Sequence, residues 1–390
     1  MPWNWQQPDW PEFAWKSSRL AKAEEQFLRG SGLFLGTVKH LAGEDRDQLT
    51  IDAMSNEALT TSQIEGEVLN RDSVQSSIRR QLGLAADRRK VQPAEQGIGE
   101  LMVDLYRNFA VPLDHAALHN WHRMIVSGRT DLHDIGRYRT HAEPMQIVSG
   151  RIYDPTVHFE APPSARVKAE MNRFIAWFNR TAPRGPQPLP VLTRAGFAHL
   201  YFESIHPFED GNGRVGRAIA EKVLAQTLGS PSLTAIAATI LAHRAAYYDA
   251  LEAANKKNEI TEWLAWFAGI ALEAQYRTLA QVEFLIDKAK LLDRLRDKLN
   301  SRQSAVLIRI LREGPEGFKG GLTAGNYTTI AKASAATATR DLAEMIDLGA
   351  LRRTGEKRHT RYHLTIPLRP VPRITIAPSG AIIEFIKPAR

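Results

Sequence analysis

The chain of 390 residues has no cysteine, which excludes a disulfide framework and thiol catalysis and fits a reducing compartment. No apolar run approaches the roughly 18 residues of a membrane span, so no membrane partner is expected. The first residues, MPWNWQQPDWPEF, lack the basic-then-apolar order of a secretion signal, which leaves a cytoplasmic location as the expectation. What that stretch holds instead is tryptophan: Trp3, Trp5, Trp10 and Trp15 are expected to cap a core or an internal interface.

With 43% hydrophobic and 24% charged residues, the composition is that of a soluble globular protein, long enough for two or three domains. The net charge of +8 is unevenly spread. Residues 351–390 hold Arg352, Arg353, Lys357, Arg358, Arg361, Arg369, Arg373, Lys387 and Arg390 against Glu356 and Glu384, which is nearly the whole excess. A basic end on a near-neutral body points to one localised polyanion contact.

The densest chemistry lies at His206–Arg217, HPFEDGNGRVGR. Before it, Ala195–Ile205 is apolar and aromatic-rich with helical spacing, and Pro207 favours an end to that helix near His206. Gly211-Asn212-Gly213 permits positive φ and bare N–H groups, so the backbone can form an anion-binding nest. Arg214–Leu228 then reads as a buried helix whose N-terminus turns free N–H groups and a positive partial charge toward that nest; a phosphate is the natural occupant. Arg214 and Arg217, three apart, can grip different oxygens of a polyphosphate. Asp210 can hold Mg²⁺ with the phosphates as further ligands, and His206, across the turn, can take a proton near neutral pH. Any one of these residues fits an ordinary loop-to-helix junction. The combination describes a general base beside a metal-bound nucleotide.

Upstream, Leu49–Leu69 has helical spacing, with Met54, Ala58, Thr61 and Glu65 on one face and Gly66 as a stop. A carboxylate at a helix C-terminus is opposed by the dipole and needs a cationic partner or solvent.

HPFEDGNGRVGR resembles the full signature of Fic-domain proteins, which mostly transfer AMP from ATP to a hydroxyl side chain of a target protein. The resemblance implies that His206 deprotonates the target hydroxyl and that Asp210 binds Mg²⁺. It implies an anion hole of Gly211, Asn212, Gly213 and Arg214 for the α- and β-phosphates, with Val215 and Gly216 in the same nucleotide-binding turn. Arg217 would hold the γ-phosphate, and Phe208 would anchor the loop. Thr61-Ser62-Gln63-Ile64-Glu65-Gly66 is similar to the family's inhibitory motif: Ser or Thr, three residues, Glu, then Gly or Asn. By that resemblance Glu65 pairs with Arg217 and stands where the γ-phosphate belongs; one guanidinium cannot serve two bidentate anions.

Residues 71–135 read as mostly helical. In Gly136–Pro163 two short extended runs, Met145–Val148 and Arg151–Tyr153, flank Ser149-Gly150 and predict a β-hairpin. An exposed hairpin edge can pair with an extended peptide, and the family's target-positioning flap lies here, so Ile147, Val148 and Ser149 are candidates for main-chain docking. Tyr248 and Asn255 fall two turns apart on one helix face and, with the resemblance, are candidates to line a nucleoside pocket. Residues 275–300 predict an amphipathic connector helix. Ser301–Leu364 follows the order of a winged helix-turn-helix: helices Ser304–Arg312, Thr323–Lys332 and Ala335–Leu348, then a basic two-stranded wing, Leu351–Leu364. Thr337 and Arg340 stand in the recognition position, and Arg353, Lys357, Arg358 and Arg361 can meet phosphates. DNA is therefore a candidate partner, and a homodimer is another use of such a module. Residues 370–386 read as a last hairpin.

The expected fold is mainly α: a Fic-fold helical core with a β-hairpin flap, plus a C-terminal winged helix-turn-helix domain. The expected division is 1–95 (Trp-rich segment and inhibitory helix), 96–272 (Fic catalytic core), 273–300 (connector) and 301–390 (winged helix and basic tail). The expected function is transfer of AMP from Mg·ATP to a Ser, Thr or Tyr hydroxyl of a target protein, or of the chain itself, restrained by Glu65. Transfer of another nucleotide or of phosphocholine, removal of AMP, and a nucleotide-sensing DNA-bound regulator are the alternatives.

Overall fold

The computed structural model describes residues 2–39, 43–85, 87, 89–151, 154–231, 234–314, 318, 320–367 and 369–386, and it is mainly helical. Helices α1 (Ala21–Lys39), α2 (Gly43–Ile64), α3 (Arg71–Gln81), α4 (Pro93–Asn108) and α5 (His115–Ile125) lead to strands β1 (Gln146–Arg151) and β2 (Asp154–Glu160). Then come α6 (Ser164–Arg180), α7 (Val191–Ile205), α8 (Asn212–Leu228), α9 (Ile236–Ala242), α10 (Arg244–Ala254) and α11 (Thr261–Arg294). The chain closes with α12 (Ser301–Leu311), α13 (Ala324–Ala331), α14 (Ala335–Asp347), β3 (Leu351–Thr354), β4 (Arg361–Leu364), β5 (Arg373–Ile376) and β6 (Ile382–Phe385). Consecutive strands pair as three antiparallel two-stranded ribbons.

Two units divide the chain: Met1–Tyr276 with Pro372–Ile386, and Arg277–Val371. At the centre of the first stands α7, buried along its whole length because its sequence is apolar nearly all round. The N-terminal tryptophans cap this centre. Trp10 meets Tyr201 edge-on at 5.3 Å, Trp15 meets Phe197 at 5.7 Å, and the Trp5 indole donates to Glu160 O at 2.6 Å. Each ring buries its apolar body and directs its polar edge to an acceptor or to the rim.

Three expectations change. The connector is not a separate helix: α11 runs unbroken from Thr261 to Arg294, since neither glycine nor proline interrupts the chain after Gly269. The hairpin β5–β6 leaves the expected 301–390 domain and joins the first unit, where Ile374 and Ile376 enter the core. A two-stranded ribbon cannot bury its apolar face alone, so it takes the surface available to it. In the hairpin, Ser149 and Gly150 lie inside β1, opposite Thr156 and Pro155, and the last described pair is Arg151 with Asp154; residues 152–153 lie outside those described. Gly150 supplies a φ of +92° within a strand whose register slips between Ile147 and Val148, so it marks a strand distortion rather than the hairpin tip.

The second unit has its own core, in which Phe284, Leu291, Val306, Ile310, Leu342 and Met345 pack together. Helix α12 starts at Ser301, three residues before the expected start, because Asn300 and Gln303 form a reciprocal capping box. The β3–β4 ladder pairs Leu351 with Leu364 through Thr354 with Arg361, and Leu322 bridges to Tyr362 beside it.

Candidate nucleotide-binding site

Helix α7 ends on His206, whose φ of +48° is left-handed, a costly conformation for a residue with a side chain. Arg139 holds it there: its Nε donates to His206 O at 2.8 Å and its main-chain N–H to Pro207 O at 3.0 Å. On the other side of the loop, Phe208 N–H donates to Asn212 Oδ1 at 2.9 Å and Asn212 Nδ2 donates back to Phe208 O at 2.8 Å. Phe208 is fully buried and stacks on His122 with centroids 4.2 Å apart. The His122 ring accepts from Gly136 N–H at Nδ1 (3.0 Å), which leaves Nε2–H to donate to Asp210 O at 3.1 Å. Burial pushes this imidazole down to about 4, keeping it neutral as that pairing requires. Gly211, at φ +82°, caps α8, and the first N–H groups of that helix have no partner within it.

Helix α2 ends one turn away in a Schellman cap. Gly66 takes φ +88°, Gly66 N–H donates to Gln63 O at 3.1 Å, and Glu67 N–H donates to Ser62 O at 3.0 Å. The cap hangs Glu65 and Glu67 at a helix C-terminus, which repels carboxylates, beside the N-terminus of α8, which attracts them. Arg217 Nη2 donates to Glu65 Oε1 at 2.7 Å and to Thr61 O at 3.0 Å, while its Nε donates to Thr61 Oγ1 at 2.7 Å. Arg214 Nη1 donates to Glu67 Oε2 at 2.7 Å. Both guanidiniums are buried, whereas the Glu65 and Glu67 side chains are 29% and 33% exposed. Burial works against the charge of Arg217; the Glu65 carboxylate outweighs it and holds the guanidinium protonated.

This corner has unspent donors. Arg217 Nη1 and Arg214 Nε are buried without a hydrogen-bond partner, and a Cβ at Gly213 would collide with Glu65 Oε1 and stand 3.1 Å from Arg217 Nη1. Orphaned guanidinium N–H groups around a side-chain-free helix start are what an oxyanion satisfies. Asp210 fits the role of a cation ligand: its side chain is 38% exposed and a cation already stands on it, with Arg129 Nη1 donating to Oδ2 at 2.7 Å. Burial alone would raise this carboxyl, but the Arg129 hydrogen bond and the Arg214 charge bring it below the usual range. Among the described residues no cluster of three His, Asp or Glu could hold a metal unaided, so substrate phosphates would have to complete the shell. The His206 ring is buried and pushed down to about 4, by burial first and the Arg139 charge second, so it is neutral and able to accept a proton.

Thr61, Glu65, Gly66, Gly213, Arg214 and Arg217 therefore come together as expected. Other candidates do not. Val215 is wholly buried in the core, and Gly216 faces His199 and Glu203 rather than the open corner. Tyr248 reaches the cap of α2, donating to Ile64 O at 3.4 Å, but Asn255 is covered: it is 4% exposed, accepts from Ser204 Oγ at 3.1 Å and from Asn4 N–H at its carbonyl. Asn255 keeps the helical register, its N–H donating to Leu251 O at 2.9 Å, so it is the cover from Asn4 and not the spacing that removes it from an open face. On the flap, Ile147 and Val148 are 39% and 50% exposed, while Ser149 Oγ is engaged by His158 Nε2 at 2.6 Å. In the second unit Arg340, Arg353, Lys357 and Arg358 are exposed and Thr337 is half-buried. Arg361 spends its Nη1 on Arg358 O and Thr360 O, and Lys387 and Arg390 lie outside the described residues. Sequence reasoning missed Glu67, His122, Arg129, Arg139 and Arg244, whose Nε donates to Ile64 O at 2.8 Å. Only Glu67 had a signal, an acidic residue just past the glycine stop.

Residues 112–224 match the profile of the Fic/DOC family. That segment runs from the residues before α5 into α8. Residues 3–84 match a domain of unknown function, DUF4172. His206, Asp210, Arg214 and Arg217 lie within the segment similar to Fic/DOC, and the carboxylates that occupy its arginines come from the other matched segment. An Aquifex aeolicus (strain VF5) protein named "probable protein adenylyltransferase" is 34% identical over 68 residues, 17% of this chain; the match spans 20% of that relative's length. Similar solved structures include a Fic family protein from Desulfovibrio desulfuricans G20 (20% identity, 89% of this chain and 97% of that one, TM-score 0.49). A Fic domain containing signaling protein from Bacteroides thetaiotaomicron VPI-5482 (16%, 67% and 98%, 0.49) and Fic-1 from C. elegans (18%, 67% and 73%, 0.46) are two more.

Proposed function

We propose that the chain transfers AMP from Mg·ATP to a Ser, Thr or Tyr hydroxyl of a target protein, and that Glu65 restrains this activity. The observation that carries the reading is the Glu65–Arg217 pair, 2.7 Å long, at the start of α8: one of the chain's own carboxylates holds a guanidinium that a triphosphate would need. With Glu65 withdrawn, main-chain N–H groups of Gly211–Arg214 and the two arginines receive the triphosphate, and the edge of β1 holds the acceptor peptide by its main chain. The acceptor oxygen bonds to the α-phosphorus, pyrophosphate departs on the opposite side, and His206 takes the hydroxyl proton. Asp210 would hold Mg²⁺ together with the phosphates, and the ion would supply charge neutralisation there. Positioning and fixed charge provide most of the acceleration.

The test uses the Glu65→Gly variant with ATP labelled at either end. Label from the α-phosphate is expected on protein, and label from the γ-phosphate is expected in pyrophosphate. Protein labelled from the γ-position would replace this reading with phosphoryl transfer. Parallel reactions with GTP, UTP and CDP-choline separate the other donors, and wild type incubated with AMP-modified protein tests removal.

Glu67 is part of the same restraint, since it holds Arg214 from the same turn. Glu67→Ala is expected to tighten ATP binding roughly 3- to 10-fold by calorimetry, the range of a partly exposed pair on a buried guanidinium. Unchanged affinity would make it an ordinary surface pair.

A second contact is proposed for the exposed Arg340, Arg353, Lys357 and Arg358. With α13 and α14 they would act as a winged helix on DNA, and four phosphate contacts give a slope of about −4 in log affinity against log salt. Retardation of duplex DNA that is insensitive to salt, or absent, rules this out.

A further inference from the structure

The buried polar atoms without hydrogen-bond partners include three that the mechanism above leaves unused: His199 Nδ1, Glu203 Oε1 and His206 Nδ1. His199 and Glu203, four apart, share one face of α7, and His206 follows as its left-handed C-cap. That face meets α8 at Gly216. A Cβ there would collide with Glu203 Oε1 and stand 3.1 Å from His199 Nδ1, so this glycine makes room for a polar group rather than for a phosphate. His199 is fixed from its other side, with Nε2 2.8 Å from Tyr247 OH. Glu203 Oε2 stands 3.7 Å from His206 Nδ1, one small rotation from a hydrogen bond. These three orphans lie close enough to serve one another, beside the main chain of Glu203 and Gly216 that faces the two rings.

Accepting the AMP-transfer reading, on which this rests, we propose that Glu203 is a positioning residue: its Oε2 takes the Nδ1–H of His206 and leaves Nε2 open to the hydroxyl proton. As the acceptor oxygen bonds to phosphorus and the bond to the leaving pyrophosphate breaks, the proton moves to Nε2, and the imidazolium so formed lies against a group that stabilises it. The proton then passes to solvent. The other oxygen, Oε1, faces His199 Nδ1 and can share its own proton there.

The electrostatics agree with that geometry. Burial pushes the Glu203 carboxyl up to about 8, with Arg217 lowering it and Glu65 raising it further. The charges facing His206 are Arg139, which disfavours its cation, and Glu65 and Asp210, which favour it. The main-chain carbonyl of Glu203 also faces the ring. At its value of about 8 the Glu203 carboxyl is protonated in the neutral range: Oε2 accepts the Nδ1–H of His206 while the proton on Oε1 is shared with His199, and the carboxyl gains carboxylate character as the imidazolium forms, which an amide of the same shape cannot do.

The experiment compares full-length Glu65→Gly with Glu65→Gly/Glu203→Gln in α-label transfer from about pH 3.5 to 8, a window that spans the His206 value of about 4. The glutamine variant is expected to lose roughly 10- to 100-fold in kcat with KM for ATP within about twofold, and to shift the acid limb of the profile to lower pH. Equal kcat and an unmoved limb would overturn the proposal and leave the ring to the main-chain carbonyl alone. Nitrogen-15 NMR of the histidines in wild type needs neither turnover nor a variant: His206 is expected as the Nδ1–H tautomer, and an Nε2–H tautomer overturns the proposal. If Glu65→Gly transfers no label from any donor, the functional reading fails, and the tautomer still decides Glu203.

Discussion

Adding His206→Ala to Glu65→Gly should slow transfer of α-label by about 10²- to 10⁴-fold, the range of a lost general base. The expectation rests on how much of the fold is spent on this one ring. A left-handed φ is imposed on it, Arg139 pins the carbonyls of residues 206 and 207, and Asn212 closes the loop from the far side. Burial keeps the imidazole neutral, with a value near 4, so it is free to accept a proton across the neutral range. Alanine keeps the main-chain carbonyl that Arg139 holds, so the loop should persist and ATP binding by calorimetry should change little. Transfer that falls less than about tenfold would remove His206 from the chemistry.

Glu65→Gly should produce two effects of opposite sign. Label transfer is expected to rise roughly 10- to 100-fold, because ATP no longer competes with a carboxylate held at 2.7 Å. Without nucleotide, the same variant should lose about 1–3 kcal/mol of stability, since Arg217 stays buried with only Thr61 as partner and one Nη already unpaired. A partly exposed Glu65 sets that figure below the cost of breaking a fully buried pair. ATP should restore the lost melting temperature more strongly in the variant than in wild type. A variant that is both as stable and as slow as wild type would show that the pair neither supports the fold nor restrains the site.

What could be read from the sequence was what lies close along the chain. HPFEDGNGRVGR carries its loop, its helix start and both arginines within one short stretch, and each residue type states its own chemistry. The six residues ending at Gly66 similarly encode a helix cap with a carboxylate on it. The partners that complete the site were not legible, because they arrive from far away. Arg129 reaches Asp210 across 81 positions and Arg139 reaches His206 across 67, and an arginine in a loop looks the same whether it meets solvent or a buried carbonyl. Asn255 failed for a related reason. Its helical spacing from Tyr248 was sound as arithmetic, but the chain's own Asn4 returns to cover it. The flap register depended on a single glycine, whose positive φ reads equally well as a turn or as a kink within a strand.

Glu65 and Glu67 leave the end of α2 on either side of one glycine, tied to the helix through Gly66 N–H to Gln63 O and Glu67 N–H to Ser62 O. Under the proposed restraint they would act as a single latch. Fraying that last turn would withdraw both anions in one event and present Arg217 and Arg214 together, an all-or-none release rather than a graded one. A signal would then need only to unwind a few residues of α2, and a ligand or partner that stiffens that turn would hold the restraint in place without entering the nucleotide site.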